Sequence, residues 1–292
     1  MGKISLKFKR SESFYIRDGW LEKAINEINL MENEKENIFT KTRGIDILGI
    51  GSNMVKGLKH WLQSAEIINK ECLLSDFGNC LVKYDPYLES TFSLFLIHYF
   101  IAKNVELNPV FNAIFNIQKK SFTKDEIVIY IKEYLENIQN NEEYKKEEIK
   151  KKYIEDDLIV FIHSYYNDGI IENPEDNFIC PLSSLRLLTR KENEYRLLRP
   201  AYSKLSCLII YFALYMKYEK KPFIIEDAMK EDNSPFKIFN LDKNMFFQYL
   251  EELKRLNLLI INKTAGLNTI ELKKDLSLNM LFDMYFGGDK NV

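Results

Sequence analysis

The stretch Ile47-Leu-Gly-Ile-Gly-Ser-Asn-Met-Val-Lys-Gly-Leu-Lys-His-Trp-Leu62 constrains this chain more than any other. Met54, Val55, Leu58, Trp61 and Leu62 recur at i, i+3 and i+4 spacing, which predicts a helix with one apolar face. Asn53, Lys56, Lys59 and His60 fall largely on its other faces. Gly49 and Gly51 supply the backbone freedom of a tight turn, and Ser52 sits where an N-cap belongs. Just upstream, Arg43-Gly-Ile-Asp-Ile-Leu48 has room for one or two helical turns. Helix, glycine turn and polar-faced second helix form the pattern of a helix-turn-helix, whose second helix enters the DNA major groove. The expected chemistry is nucleic-acid contact rather than catalysis. A phosphate loop is a poor reading of the same Gly-x-Gly. No strongly apolar strand precedes Gly49, and no third glycine or Gly-Lys-Ser/Thr follows. A helix hairpin with a purely structural role is the alternative.

The flanks predict a winged variant over residues 1–84. Trp20, Leu21, Ala24, Ile25, Ile28 and Leu30 mark a first amphipathic helix. From Glu71 to Tyr84, two short apolar runs surround Phe77-Gly78-Asn79, and Gly-Asn between β-formers signals a hairpin. A helical core domain is expected over residues 85–200. Its helix from Thr91 to Ala102 is apolar on most faces and therefore buried, with His98 as a hydrogen-bonded core histidine. Asn108-Pro-Val-Phe-Asn112 opens another helix, and Thr123 with Glu126 reads as a capping box for the next. The charged run from Gln139 to Lys152 is a solvated connection, followed by a helix through Tyr153 to Tyr165.

Residues 201–292 read as a second, winged-helix-like unit. A long apolar helix spans about Ala201 to Lys217, and a second helix spans Lys243 to Leu256. Leu258-Leu-Ile-Ile-Asn262 and Leu267-Asn-Thr-Ile-Glu-Leu272 then pair around a turn at Lys263-Thr-Ala-Gly266. Lys254, Arg255 and Lys263 serve solubility on this reading. The predicted fold class is mainly α with small β-hairpins.

Formal net charge is only −2 over 292 residues, so any DNA affinity must come from a local patch. Lys3, Lys7, Lys9, Arg10, Arg17, Lys41, Arg43, Lys56 and Lys59 supply one, diluted by Glu32, Glu34 and Glu36. Cys72, Cys80, Cys180 and Cys207 form no CxxC pair, and His60, His98 and His163 lack finger spacing to them. Free thiols, no metal and no cofactor are expected. No signal peptide or spanning apolar run is visible, so a cytoplasmic protein is expected, without membrane contact. Glu155-Asp156-Asp157 and Pro174-Glu175-Asp176 are the acidic clusters that a metal-dependent nuclease would need. No lysine at nuclease spacing and no His or Ser constellation joins them, so the chain is read as a non-enzyme.

Four segments carry a family resemblance: Ser13-Phe-Tyr-Ile-Arg-Asp-Gly-Trp-Leu-Glu-Lys-Ala24, Leu48-Gly-Ile-Gly-Ser-Asn-Met-Val-Lys56, Asp85-Pro-Tyr-Leu-Glu89 with Leu96-Ile-His98, and Pro181-Leu182. In order and spacing the chain resembles the bacterial domain-of-unknown-function 4007 family. The resemblance implies a gene neighbourhood beside phosphosulfate-reductase-like proteins in phage-defence islands of the DNA phosphorothioation or bacteriophage-exclusion type. It implies no known activity and carries over no catalytic residue. The family's turn often reads Gly-Lys-Asn-Met, so Ser52 removes one phosphate contact here.

The expected function is therefore a DNA-binding accessory protein of a defence or DNA-modification system, with double-stranded DNA as partner. Asn53 and Lys56 would reach base edges or phosphates, Lys59, His60 and Arg43 the backbone, and Ser52 completes the set. A homodimer is expected, as is common for helix-turn-helix proteins. The rival expectation is a protein-interaction scaffold docking a sulfur-transfer enzyme or ATPase, suggested by 17 Tyr and 20 Phe.

Overall fold

The computed structural model describes residues 2–31, 37–40, 43–167, 179–264 and 267–287, and the chain divides into two compact units, Met1–Leu198 and Arg199–Val292. The acidic residues Glu32, Glu34 and Glu36, Lys41, the cluster Pro174-Glu175-Asp176 and the turn residues Ala265 and Gly266 lie outside the described residues. Among the described residues, no helix is long and apolar enough to cross a membrane.

The first unit is built mainly of helices: α1 (Trp20–Met31), α2 (Arg43–Leu48), α3 (Ser52–Ser64), α4 (Asp76–Tyr84), α5 (Thr91–Lys103), α6 (Pro109–Ile117), α7 (Lys124–Ile138) and α8 (Lys151–Tyr165). At its centre, α5 is buried from Phe92 to Ala102. The apolar sequence all round that helix leaves it no stable place except the interior. His98 is fully buried, as the sequence predicts, with Nδ1 2.7 Å from the Tyr165 hydroxyl. Its ring meets Phe115 edge-on at 4.8 Å, within a cluster that includes Phe161 and Tyr165. Helix starts are chemically marked: the Ser90 hydroxyl accepts from Phe92 N–H, and the Thr123 hydroxyl accepts from Glu126 N–H.

A small antiparallel sheet completes this unit, with strands β1 (Ser121–Phe122), β2 (Leu188–Lys191) and β3 (Glu194–Leu197) in the order β1-β3-β2. Tyr195 pairs with Phe122 on one side and Arg190 on the other. A 3₁₀ turn at Pro181–Leu185 precedes it.

The hairpin expected between Glu71 and Tyr84 is instead the helix α4. The Ser75 hydroxyl caps it, accepting from Gly78 N–H at 3.1 Å. Gly78 is there for close packing and not for a turn: a Cβ at that position would lie 2.4 Å from the Ile67 carbonyl oxygen. The Gly-Asn dipeptide is therefore a packing site within a helix, and no wing follows α3.

The second unit holds α9 (Cys207–Tyr218), β4 (Phe223–Ile224), α10 (Ile225–Ala228), α11 (Pro235–Ile238), α12 (Lys243–Arg255), β5 (Leu259–Thr264), β6 (Leu267–Leu272) and α13 (Leu278–Phe286). Its sheet runs β4-β6-β5, all antiparallel, and contains the hairpin expected from the sequence. α9 begins at Cys207 rather than near Ala201, because the Ser206 hydroxyl accepts from Leu208 N–H and sets the start. Leu208 to Leu214 are buried in α9, as are Phe246, Tyr249, Leu250 and Leu253 in α12, which places this unit's core between those helices and the sheet.

Candidate nucleic-acid interface

The turn and α3 form as their residues dictate. Gly49 takes φ +66°, a conformation glycine adopts without strain. The Lys23 ammonium, on α1, donates to the Leu48 carbonyl at 2.9 Å and closes the end of α2. Gly51, not Ser52, is the N-cap of α3, and no side chain caps it. Val55, Leu58, Trp61 and Leu62 are buried, so the apolar face is the one the periodicity predicts. His60 departs from that prediction: it too is buried, at 8% exposed, because the N-terminal segment lies across this side of α3.

That segment acts as a strap. Ile4 bridges to Tyr144, with its N–H donating to the Glu143 carbonyl at 2.8 Å. Lys7 N–H donates to the Glu106 carbonyl at 2.8 Å, and Lys9 N–H donates to both Asp157 carboxylate oxygens at 3.1 Å. The Lys9 ammonium turns to Asp156 at 2.8 Å. Further on, the Phe14 carbonyl accepts from Trp61 Nε1 at 2.9 Å. Ser11 crosses α3 at Gly57, where a Cβ would sit 2.6 Å from its carbonyl oxygen. Only glycine lets the strap lie so close.

The crossing sets two strap cations, Lys7 and Arg10, beside Lys56 and Lys59 of α3. Together with Glu12, Gln63, His60 and Leu107 they line a groove of about 290 Å³. Lys7 is partly neutralised by Glu106 at 2.5 Å. Lys56 donates to Asn53 Oδ1 at 3.2 Å, and Lys59 stands 5.8 Å from the Phe39 ring centre. No carboxylate pairs with Arg10, Lys56 or Lys59 among the described residues. The groove thus holds four cations and one acidic side chain, Glu12, among the described residues.

A narrow hollow of about 10 Å³ lies deeper, lined by Arg10, His60, Asn108 and Asp157 among others. His60 Nε2 lies 3.0 Å from Asn108 Oδ1 and donates to it, while Asn108 Nδ2 is buried without a partner among the described residues. Burial, and secondarily the charge of Arg10, lowers the imidazole to about 4, so it is neutral near pH 7. Burial pushes the Asp157 carboxyl up to about 7, against the pull of the Lys9 N–H.

Of the residues singled out from sequence, the groove brings together Lys56, Lys59 and His60. Asn53 is exposed and reaches the groove through Lys56. Ser52 is exposed at the first turn of α3, and Arg43 is half-buried at the first residue of α2. Neither lines the groove. Sequence reasoning names Lys7 and Arg10 only within a diffuse basic patch and misses Gln63; Gly57 is the one local signal that another backbone crosses here. Asp156 and Asp157 hold the strap, and no group of three or more His, Cys, Asp or Glu side chains is placed to hold a metal among the described residues.

Two solved structures share the fold. One, described as magnesium ion-bound SspB, has a TM-score of 0.80 at 19% identity, covering 99% of this chain and 90% of that one. The other, described as SspB, has a TM-score of 0.76 at 18% identity, covering 99% and 91%. No protein of curated function matches the sequence. The family model of the protein of unknown function DUF4007 matches residues 8–285, and the chain belongs to that family.

Proposed function

We propose that this protein binds double-stranded DNA through the basic groove, as an accessory protein of a phage-defence or phosphorothioation-linked DNA-modification system. One observation carries the DNA reading: Arg10, Lys56 and Lys59 line a single groove without carboxylate partners among the described residues. Cations gathered in excess in one groove are what a phosphate backbone recruits, whatever the net charge of the chain. On this reading α2, the Gly49–Gly51 turn and α3 act as a helix-turn-helix without a wing. Asn53 and Lys56 lie at the exposed start of α3, and both residue types suit base edges or phosphates. His60, neutral and buried, positions the groove floor and supplies no charge. The defence setting rests on the family resemblance, and the site of action is the cytoplasm. The order helix, strand, two short helices, helix, hairpin makes the second unit winged-helix-like on the same reading.

Fluorescence anisotropy with plain and phosphorothioate-modified duplexes tests this. Saturable binding that Lys56→Ala plus Lys59→Ala weakens supports it, and a preference between the duplexes ties it to sulfur modification. Binding unchanged in the double variant removes α3 from the interface.

Met216, Met280 and Met284, at 46%, 49% and 41% exposed in the second unit, favour a second reading. Exposed methionines suit adaptable protein docking, here to a phosphosulfate-reductase-like, sulfur-transfer or ATPase partner. Co-purification with such a neighbour in the absence of DNA is the result that supports it.

A further inference from the structure

The first unit holds another cavity, of about 250 Å³, that shares no lining residue with the basic groove. Its chemistry is aromatic and cationic. Tyr15 and His163 meet edge-to-face with centroids 5.5 Å apart, and Tyr166 and Tyr195 do so at 6.2 Å. Lys124 at the start of α7 and Arg190 on β2 supply the charge. Arg190 pairs with Tyr195 across the β2–β3 ladder, and its guanidinium stands 5.6 Å from the ring centre. Arg190 Nε donates to the Glu192 carbonyl at 2.6 Å, which fixes the fork, and its other N–H groups have no hydrogen-bond partner among the described residues. No carboxylate lines the cavity or pairs with Lys124 or Arg190 among the described residues.

Several rings beside two cations without a carboxylate partner among the described residues match one class of ligand, a planar heteroaromatic ring joined to a phosphate. Every nucleobase has a π-face that tyrosine or histidine can cover, and arginine and lysine bind the phosphate. The volume falls just below the range of about 300–1,000 Å³ that takes drug-sized ligands, which suits a single nucleotide. Cys180 also lines the wall, but burial raises its thiol to about 12, so it offers no thiolate for covalent chemistry. We propose that this cavity is a nucleotide-binding site, taking a free mononucleotide or one unstacked nucleotide of a single strand. It does not rest on the DNA reading of the groove, whose residues it does not use.

The test is titration of the full chain, by calorimetry, with AMP, adenosine, inorganic phosphate and a short 5′-phosphorylated single strand. Lys124→Ala and Arg190→Ala are the probes, since both side chains are exposed and removing them leaves the core intact. AMP should bind saturably, with adenosine and phosphate each at least about ten-fold weaker. Arg190→Ala should cost at least about ten-fold, the loss of one charge-assisted hydrogen bond. If the strand alone binds and both substitutions weaken it, the source is a nucleic-acid strand and the site stands. Three results overturn it: phosphate binding as tightly as AMP, binding unaffected by either substitution, or no saturable binding of any probe. Lys56→Ala plus Lys59→Ala should leave AMP binding unchanged, which separates this site from the groove.

Discussion

Replacing Gly57 with alanine puts the strap under direct stress. In an ordinary helix interior this change gains about 1 kcal/mol, since alanine loses less backbone entropy than glycine. Here the new Cβ falls 2.6 Å from the Ser11 carbonyl oxygen and 3.3 Å from its carbon, so the strap must retreat by most of an ångström. It is not free to do so. Ser11 is 4% exposed, its carbonyl accepts from Phe14 N–H at 2.9 Å, and the Phe14 carbonyl accepts from Trp61 Nε1 at 2.9 Å. Overpacking of this kind costs about 1–3 kcal/mol, and a lost Trp61–Phe14 bond adds about 1 kcal/mol. Set against the propensity gain, the net is a destabilisation of about 2 kcal/mol. For a unit of this size that lowers the melting temperature by roughly 4–8 °C, readable by thermal unfolding followed by circular dichroism. Arg10 rides on the same segment, so duplex affinity should fall in parallel. A melting temperature that rises would refute the claim that the strap is held tightly against α3.

Three further outcomes follow from the same geometry. The Asp157 carboxyl is raised from 3.8 to about 7, so the stability it allows is fully present below pH 3.8 and is lost as pH rises through about 7. Asp157→Asn cannot ionise and should exceed the parent by about 2 kcal/mol at pH 8, allowing for residual solvent access. Denaturant midpoints should show that gap closing towards pH 4, and a gap independent of pH contradicts the assignment. His60, lowered to about 4, should hold a constant ring proton shift in NMR spectra from pH 8 to pH 5; a midpoint near pH 6.5 would place it in solvent. Gly78→Ala drives a Cβ to 2.4 Å from the Ile67 carbonyl oxygen and should cost about 2 kcal/mol in a denaturant melt, whereas a turn glycine at negative φ would tolerate it.

Local patterns were legible where one helix and its own face decided the outcome. The apolar faces of α3 and α5 follow from spacing, and the Thr123 cap from capping chemistry, all acting within a few residues, whereas the cap expected at Ser52 falls on Gly51. Legibility failed where distant backbone decided. Gly78 reads as a turn residue because the sequence does not show the Ile67 carbonyl pressed against it. His60 reads as solvent-facing because nothing local announces a strap that lies over it. The strap has no period of its own: its anchors are hydrogen bonds to residues as far off as Asp157, so the convergence of Arg10 with Lys56 and Lys59 is a tertiary fact. The strands β1, β2 and β3 are only 2 to 4 residues long, too short for alternation to register.

The salt dependence of duplex binding tests the groove most directly. Three cations without a carboxylate partner among the described residues, Arg10, Lys56 and Lys59, predict a slope of log K against log salt of about −2.7, at roughly −0.9 for each phosphate neutralised. Lys56→Ala plus Lys59→Ala should flatten it to about −0.9 while thermal unfolding stays unchanged. A slope that is equally steep in the double variant would place the DNA elsewhere on the molecule and contradict the account.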